Sequence, residues 1–173
     1  MFKYIITAQL FFSPVYYLIA LTVGVIVAMI GYCRCKNKRK SVVMGLIIAY
    51  LTLVFSFTII TRTPTEHKYE LILFWSYIEI YKGNTIFIYE NILNVLMLMP
   101  LGVLLPVGFD QITCKKAVLS GFLVSLIIEV MQLLTRRGLF EFDDILHNTL
   151  GCLLGYAIYK LIKKNLIDKW EAI

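Results

Sequence analysis

The chain has 173 residues, of which 60% are hydrophobic and only 16% are charged, and its mean hydropathy is +0.79. This composition excludes an ordinary water-soluble domain and indicates an integral membrane protein. The formal net charge of +6 does not predict a nucleic-acid partner, because the cations cluster at the ends of apolar segments without any nucleic-acid-binding motif.

Five apolar segments are about long enough to cross a bilayer as helices. They are, in chain order, Val15–Tyr32, Val42–Thr61, Asn91–Gly108, Ala117–Leu134 and Ile145–Ile162. No convincing signal-peptide cleavage site follows residues 1–12, and we interpret them as an interfacial lead-in to the first span or an extension of it. The predicted fold class is therefore all-α, a polytopic integral membrane helix bundle that forms one domain over residues 1–173.

Basic loops predict the orientation of these spans, because lysine and arginine remain on the cytoplasmic side. Five cations lie between Arg34 and Lys40, and lysine pairs follow at 115–116 and 163–164. This pattern places the N-terminus outside and the C-terminus in the cytoplasm. Arg136 and Arg137 depart from the rule, but acidic residues at 141, 143 and 144 offset their charge locally.

The longest segment between spans runs from Arg62 to Glu90 and contains the apolar patch Leu71–Tyr77. The patch is too short to cross a membrane and is rich in aromatic residues, which favour the membrane interface. A helix lying in the surface, a re-entrant piece over a site, and a packed interfacial loop are all compatible with it.

Polar residues interrupt the last two spans on one face of each predicted helix. Helical spacing aligns Ser125, Glu129 and Gln132 in one span. In the next span it aligns Asp144 and Asn148 with a Gly-x-x-x-Gly seam, Gly151 and Gly155, at which two backbones can approach closely. The hinge between these spans is short, so they should be antiparallel neighbours. We therefore expect a polar cluster near one membrane surface.

Three runs in this order resemble the VanZ-like family of bacterial membrane proteins: Asn91–Pro106 (NILNVLMLMPLGVLLP), Ser125–Gln132 and Arg137–Tyr156. They place the motif core of the family at residues 91–156. The resemblance implies a multi-pass protein of the bacterial cell membrane that lowers susceptibility to teicoplanin-type glycopeptide and lipoglycopeptide antibiotics. Like residues occur in the family motifs at Asn94, Pro100, Gly102, Glu129, Gln132, Arg137, Asp144, Asn148, Gly151 and Gly155.

The first functional hypothesis is a binding site. A polar, outward-facing cavity formed by the last three spans and the Arg62–Glu90 segment would hold membrane lipid, the acyl anchor of a lipoglycopeptide, or a lipid-linked cell-wall precursor. The arginines suit a phosphate or peptide carboxylate, which guanidinium groups bind in a fork geometry. The expected ligand-binding residues are Arg62, Asn91, Asn94, Gln132, Arg136, Arg137 and Asn148.

The second hypothesis is an enzyme in which Glu129 and Asp144 act as a general acid and base on an envelope lipid or a peptidoglycan precursor. The chain has no Gly-x-Ser-x-Gly or His-Glu-x-x-His motif to support it further. Two structural alternatives remain open. Glu129 could form an interhelical salt bridge with an arginine, and the whole protein could be a structural partner of another envelope protein.

A metal site is the least supported alternative. His147 follows Asp143 and Asp144 by one helical turn, which could bring nitrogen and oxygen ligands together, but His67 is the only other histidine. The family resemblance does not require a histidine at this position. We expect no metal and no cofactor, and the sequence leaves the oligomeric state open.

Overall fold

The computed structural model describes residues 14–66 and 68–171, with side chains described as far as residue 165. The interfacial lead-in at residues 1–12 and His67 lie outside this part of the chain, so both interpretations stay predictions.

Five helices are long and apolar enough to cross a membrane, which confirms the predicted all-α membrane fold class. They are α1 Pro14–Cys35, α2 Lys38–Phe55, α4 Ile86–Gly108, α5 Cys114–Thr135 and α6 Phe142–Glu171, and a π-helical turn, Ser56–Ile60, continues α2. Each predicted span overlaps one of these helices. Three short elements lie between the spans: β1 Lys68–Glu70, α3 Trp75–Tyr81 and β2 Leu139–Glu141.

The bundle has two chemically different ends. At the basic end, made by residues 36–37 and 109–113, Arg39 Nη2 lies 2.5 Å from Asp110 Oδ1, and Lys40 lies over the Phe109 ring. The hydrogen bond from Arg39 holds the pKa of Asp110 below its usual range. At the hinge end, made by residues 61–85 and 136–141, the amide of Thr65 donates to the carbonyl of Arg136 at 2.6 Å.

The most extensive helix contact joins α4 to α6 along a seam of glycines. A Cβ atom on Gly151 would collide with the carbonyl oxygen of Val95, and one on Gly155 would collide with the carbonyl of Met99. A Cβ atom on Gly102 of α4 would likewise collide with the carbonyl oxygen of Cys152 on α6. The predicted Gly-x-x-x-Gly seam is thus confirmed, because side chains at these positions would force the backbones apart.

The other helices extend this pair. Helix α5 packs against α6, α2 packs against α4, and α1 packs chiefly against α2. Gly24 of α1 and Gly45 of α2 face each other so closely that a Cβ on Gly24 would lie 2.8 Å from the Gly45 carbonyl oxygen. The buried core between α2, α4 and α6 consists of Val43, Ile47, Leu98, Leu101 and Cys152.

A two-stranded parallel sheet joins the hinge to the Arg62–Glu90 segment, with Lys68 opposite Leu139 and Glu70 opposite Glu141. The sequence did not predict these strands, because three residues are too few to show a strand periodicity. The apolar patch Leu71–Tyr77 forms a turn over residues 72–74 and the first residues of α3. Several of its side chains, including Ile72 and Tyr77, are about half exposed.

Asp143 attaches α3 to the bundle. One carboxylate oxygen accepts a hydrogen bond from the amide of Phe74 at 2.6 Å, and the other accepts bonds from the amide and hydroxyl of Ser76 at 2.9 and 2.6 Å. Phe74 has φ of +64°, a left-handed conformation that is unfavourable for a bulky side chain. The three bonds to Asp143 offset this strain and fix the start of the surface helix.

We predict that Gly151→Ala destabilises the protein, because the added methyl group must separate α4 from α6. Overpacking of this kind costs about 1–3 kcal/mol, which corresponds to a fall of about 2–12 °C in the unfolding midpoint. Thermal unfolding in detergent measures the change. Gly31→Ala is the matched control, since a Cβ there would meet its nearest neighbour, Ser41, at an ordinary 3.5 Å. Equal stability of the two variants would contradict the close packing of α4 against α6 at Gly151.

We predict that Asp143→Asn loosens the surface segment 71–81 and leaves the spans intact. A hydrogen bond to a charged group contributes about 1.5–3 kcal/mol, so amide exchange in this segment should accelerate by about 10- to 100-fold. Hydrogen exchange followed by mass spectrometry measures it. The control is Glu79→Gln on the same helix, because its carboxylate contacts only the largely exposed Lys82. Unchanged exchange in Asp143→Asn would exclude this anchoring role.

Candidate functional site

Two carboxylates from neighbouring helices meet at the hinge end of the bundle. Glu129 of α5 is 1% exposed and accepts a hydrogen bond from the amide of Glu141 at 3.0 Å. Asp144, in the first turn of α6, accepts a bond from the side-chain amide of Asn94 on α4 at 2.6 Å. The two carboxylates lie close enough for their charges to interact. The predicted polar cluster therefore draws on three different helices.

Arg137, one of three arginines that could have formed a salt bridge with Glu129, has another role. Arg137 donates from Nη1 to the carbonyls of Ile59 and Ile60, at 3.3 and 2.7 Å. Gln132 donates to the carbonyl of Thr58 at 3.2 Å. These carbonyls belong to the π-helical turn that ends α2, where backbone acceptors lack partners within the helix. Both predicted ligand-binding side chains thus cap the end of α2.

Arg62 is the arginine whose charge acts on the carboxylates. It is exposed, and its charge interacts with those of Glu90, Glu129 and Asp144. In the described part of the chain, neither Arg62 nor Arg137 approaches Glu129 within the 4.0 Å of an ion pair. A Cβ on Gly138 would lie 3.1 Å from the Arg62 guanidinium, so this glycine leaves room for Arg62 beside the hinge.

The remaining predicted ligand-binding residues occupy separate places. Asn91 donates to the hydroxyl of Ser76 at 3.2 Å and so contributes to the attachment of α3. Asn148 is 1% exposed and donates to the hydroxyl of Ser125 at 2.9 Å. Its Oδ1 has no hydrogen-bond partner among the described residues. Arg136 adopts a left-handed conformation at the end of α5 and is exposed.

Glu141 adds a third carboxyl group just outside α6. Burial raises its pKa to about 8, and the negative charges of Asp144, Glu90, Asp143 and Glu70 add to the effect. At neutral pH this carboxyl group is therefore mostly protonated. It can donate a hydrogen bond through its side chain while its amide donates to Glu129.

Two of the three side chains that the sequence offered as metal ligands, Asp143 and His147, contact the surface segment instead. The Asp143 carboxylate is occupied by Phe74 and Ser76, and His147 Nε2 lies 2.8 Å from the hydroxyl of Tyr77. Within the described residues, no group of three histidine, cysteine or acidic side chains is arranged to hold a metal ion.

The structure thus brings together four of the nine predicted site residues: Arg62, Asn94, Glu129 and Asp144. Sequence reasoning missed Glu90, whose charge interacts with those of Asp144 and Arg62. The i, i+4 spacing of Glu90 and Asn94 was a usable signal for it. It also missed Ser76, a small polar residue within an aromatic run, and Thr58, whose backbone carbonyl carries no sequence signal.

Comparisons with known proteins identify the family of the chain. The VanZ/LLP1 family model matches residues 41–163, which include every predicted site residue and extend beyond the motif core to α2. "Protein VanZ" of Enterococcus faecium is 32% identical over 80 residues, which are 46% of this chain and 50% of that protein. The chain thus aligns with about half the length of this curated relative. No solved structure matches the chain. Because the family model covers most of its length, the chain belongs to the VanZ/LLP1 family.

Proposed function

We propose that this protein lowers the susceptibility of a bacterial cell to teicoplanin-type glycopeptide and lipoglycopeptide antibiotics. Its hinge end faces outward, in keeping with the basic loops of the opposite end and the positive-inside rule. The site at the hinge end binds an envelope lipid, or the lipid anchor of the drug, and so denies the drug its hold on the membrane. Membership of the VanZ/LLP1 family supports the role in resistance.

One observation supports a binding site at the hinge end. Some polar side chains there form the hydrogen bonds that hold the fold together, and others have oxygen atoms that accept no hydrogen bond within the described part of the chain. Gln132 and Arg137 cap α2. Glu129 and Asp144 each have one oxygen with an assigned hydrogen bond from the described residues, and each has a second oxygen without one. We expect these carboxylates, together with the exposed Arg62, to bind the ligand.

The surface segment favours a ligand that is partly lipid. Leu71, Ile72, Phe74 and Ile78 expose between 45% and 59% of their surface, and Tyr81 exposes 93%. Apolar and aromatic side chains in this proportion are stable at a membrane interface and not in bulk water. A ligand with an acyl chain can contact this surface while its polar part reaches Arg62 and the carboxylates.

The adjacent carboxylates also favour a second candidate function, an enzyme acting on an envelope lipid or a peptidoglycan precursor. Glu129 and Asp144 come from different helices, and neither has an ion-pair partner within 4.0 Å in the described part of the chain. General acid and base catalysis requires two such groups within reach of one substrate. The sequence adds no nucleophile or metal motif to this pair.

We predict that Glu129→Gln and Asp144→Asn separate these functions. In a susceptible Gram-positive host with matched membrane levels of each variant, susceptibility to teicoplanin is compared with susceptibility to vancomycin. Binding through hydrogen bonds should survive Glu129→Gln, because the amide oxygen still accepts from the Glu141 amide. The rate of an acid–base-catalysed reaction should fall by about 100-fold or more in either variant. Glu66→Gln, an exposed carboxylate elsewhere at the hinge end, is the control.

Three results decide between the possibilities. Protection that survives Glu129→Gln but is lost in Glu129→Ala supports binding, and protection lost in both conservative variants supports catalysis. If wild-type protein at normal membrane levels gives no protection against teicoplanin, the proposed role in resistance is wrong.

Glu141 should make the stability of the protein depend on pH. Its folded-state pKa of about 8 lies above the usual 4.5. The stability it contributes is thus complete below about pH 4.5 and is lost as the pH rises through 8. Glu141→Gln should therefore unfold at a higher temperature than wild type near pH 9 and at a similar temperature near pH 5. Each unit of pKa shift corresponds to about 1.4 kcal/mol. A pH-independent difference would contradict this assignment.

A further inference from the structure

A groove at the basic end of the bundle is separate from the carboxylate site. It has a volume of about 280 Å³ and runs between the last turns of α1 and the first turns of α2. Its lining is almost wholly apolar and consists of Ala28, Met29, Tyr32, Lys38, Ser41 and Val42. Met29, Tyr32 and Val42 are each at least 41% exposed, so the groove opens on the outer surface of the bundle.

The cations beside this groove fall into two groups. Arg39 pairs with Asp110, and Lys40 lies over the ring of Phe109, so these two attach the α1–α2 loop to the α4–α5 loop. The side chains of Arg34, Lys36 and Lys38 form no hydrogen bond or ion pair with any described residue. Lys38 lines the apolar groove, and Arg34 and Lys36 follow the lining residue Tyr32 by two and four positions. Three cations with unpaired side chains therefore belong to the loop beside the groove.

We propose that this groove binds one anionic phospholipid, with an acyl chain lying between α1 and α2 and the phosphate held by Arg34, Lys36 and Lys38. Charge complementarity identifies the occupant. Arg34, Lys36 and Lys38 lie within five consecutive residues, and the first turn of α2 has no acidic residue, so a bound anion relieves the repulsion among these three cations. A zwitterionic lipid offers the same chain but no net charge. The site depends neither on the carboxylates nor on which membrane face carries the hinge.

The basic loop also has a simpler explanation, in which its cations only determine topology and attract anionic lipid diffusely. That explanation assigns no role to the groove and makes all lysines at the basic end equivalent. The proposed site makes two different predictions. The cations at the groove should matter more than other cations at the same end, and blocking the groove should weaken binding without any loss of charge.

The test uses full-length protein extracted from mixed vesicles of phosphatidylglycerol and phosphatidylcholine. Native mass spectrometry measures which lipid remains bound. Wild type should retain one phosphatidylglycerol in preference to phosphatidylcholine. Replacing Lys36 and Lys38 by glutamine should weaken that preference by roughly 30-fold, because each cation near a membrane surface contributes about 1 kcal/mol to the attraction of anionic lipid. The control replaces Lys115 and Lys116 by glutamine, which removes the same charge from the other loop of the basic end.

Val42→Trp blocks the groove and keeps every cation. Val42 is 54% exposed, so the larger side chain can occupy the groove without entering the α1–α2 contact at Gly24 and Gly45. The variant should retain markedly less phosphatidylglycerol than wild type. Equal loss in the two double-lysine variants, full retention in Val42→Trp, or no preference in wild type would each overturn the proposal. None of these results bears on protection against teicoplanin.

Discussion

The direct contact between the backbones of α4 and α6 is the constraint on which the rest of the structure depends. Gly151, Gly155 and Gly102 leave no side chain between the two helices, and each faces a carbonyl oxygen of the other helix. In a bilayer, helices gain little from hiding apolar surface, so close packing of this kind is a main source of their association. The same contact fixes the rotation of α6 and brings Asp144 within hydrogen-bond distance of Asn94.

Much of the polar chemistry at the hinge end satisfies backbone groups that a membrane protein cannot leave unpaired. The π-helical turn at the end of α2 leaves carbonyls that accept from Gln132 and Arg137. Asp143 accepts from two amides at the start of α3. These residues explain how irregular backbone is tolerated there. Once they are set aside, the acidic group around Arg62 remains, and it is the part of the cluster that we propose as the ligand site.

The two ends of the bundle therefore have opposite chemistry. The hinge end concentrates carboxyl groups, and Glu141 there is neutral at physiological pH because burial raises its pKa. The basic end carries cations that exceed its acidic partners, with Asp110 occupied by Arg39. A protein that acts on lipids, or on a drug anchored in lipid, would meet different head groups at these two surfaces. The proposed sites make use of this difference.

The sequence by itself determined the membrane class, five spans, the glycine seam and the polar face shared by Glu129 and Gln132. These features follow from span length and from the period of a single helix, which are local properties of the chain. Only the tertiary structure decided which groups these side chains bind. It directed Arg137 to the end of α2 and not to Glu129, and it assigned Asp143 to the surface segment. It also paired two three-residue strands. Such contacts depend on the rotation and depth of helices that are distant in sequence, and no local pattern encodes either quantity.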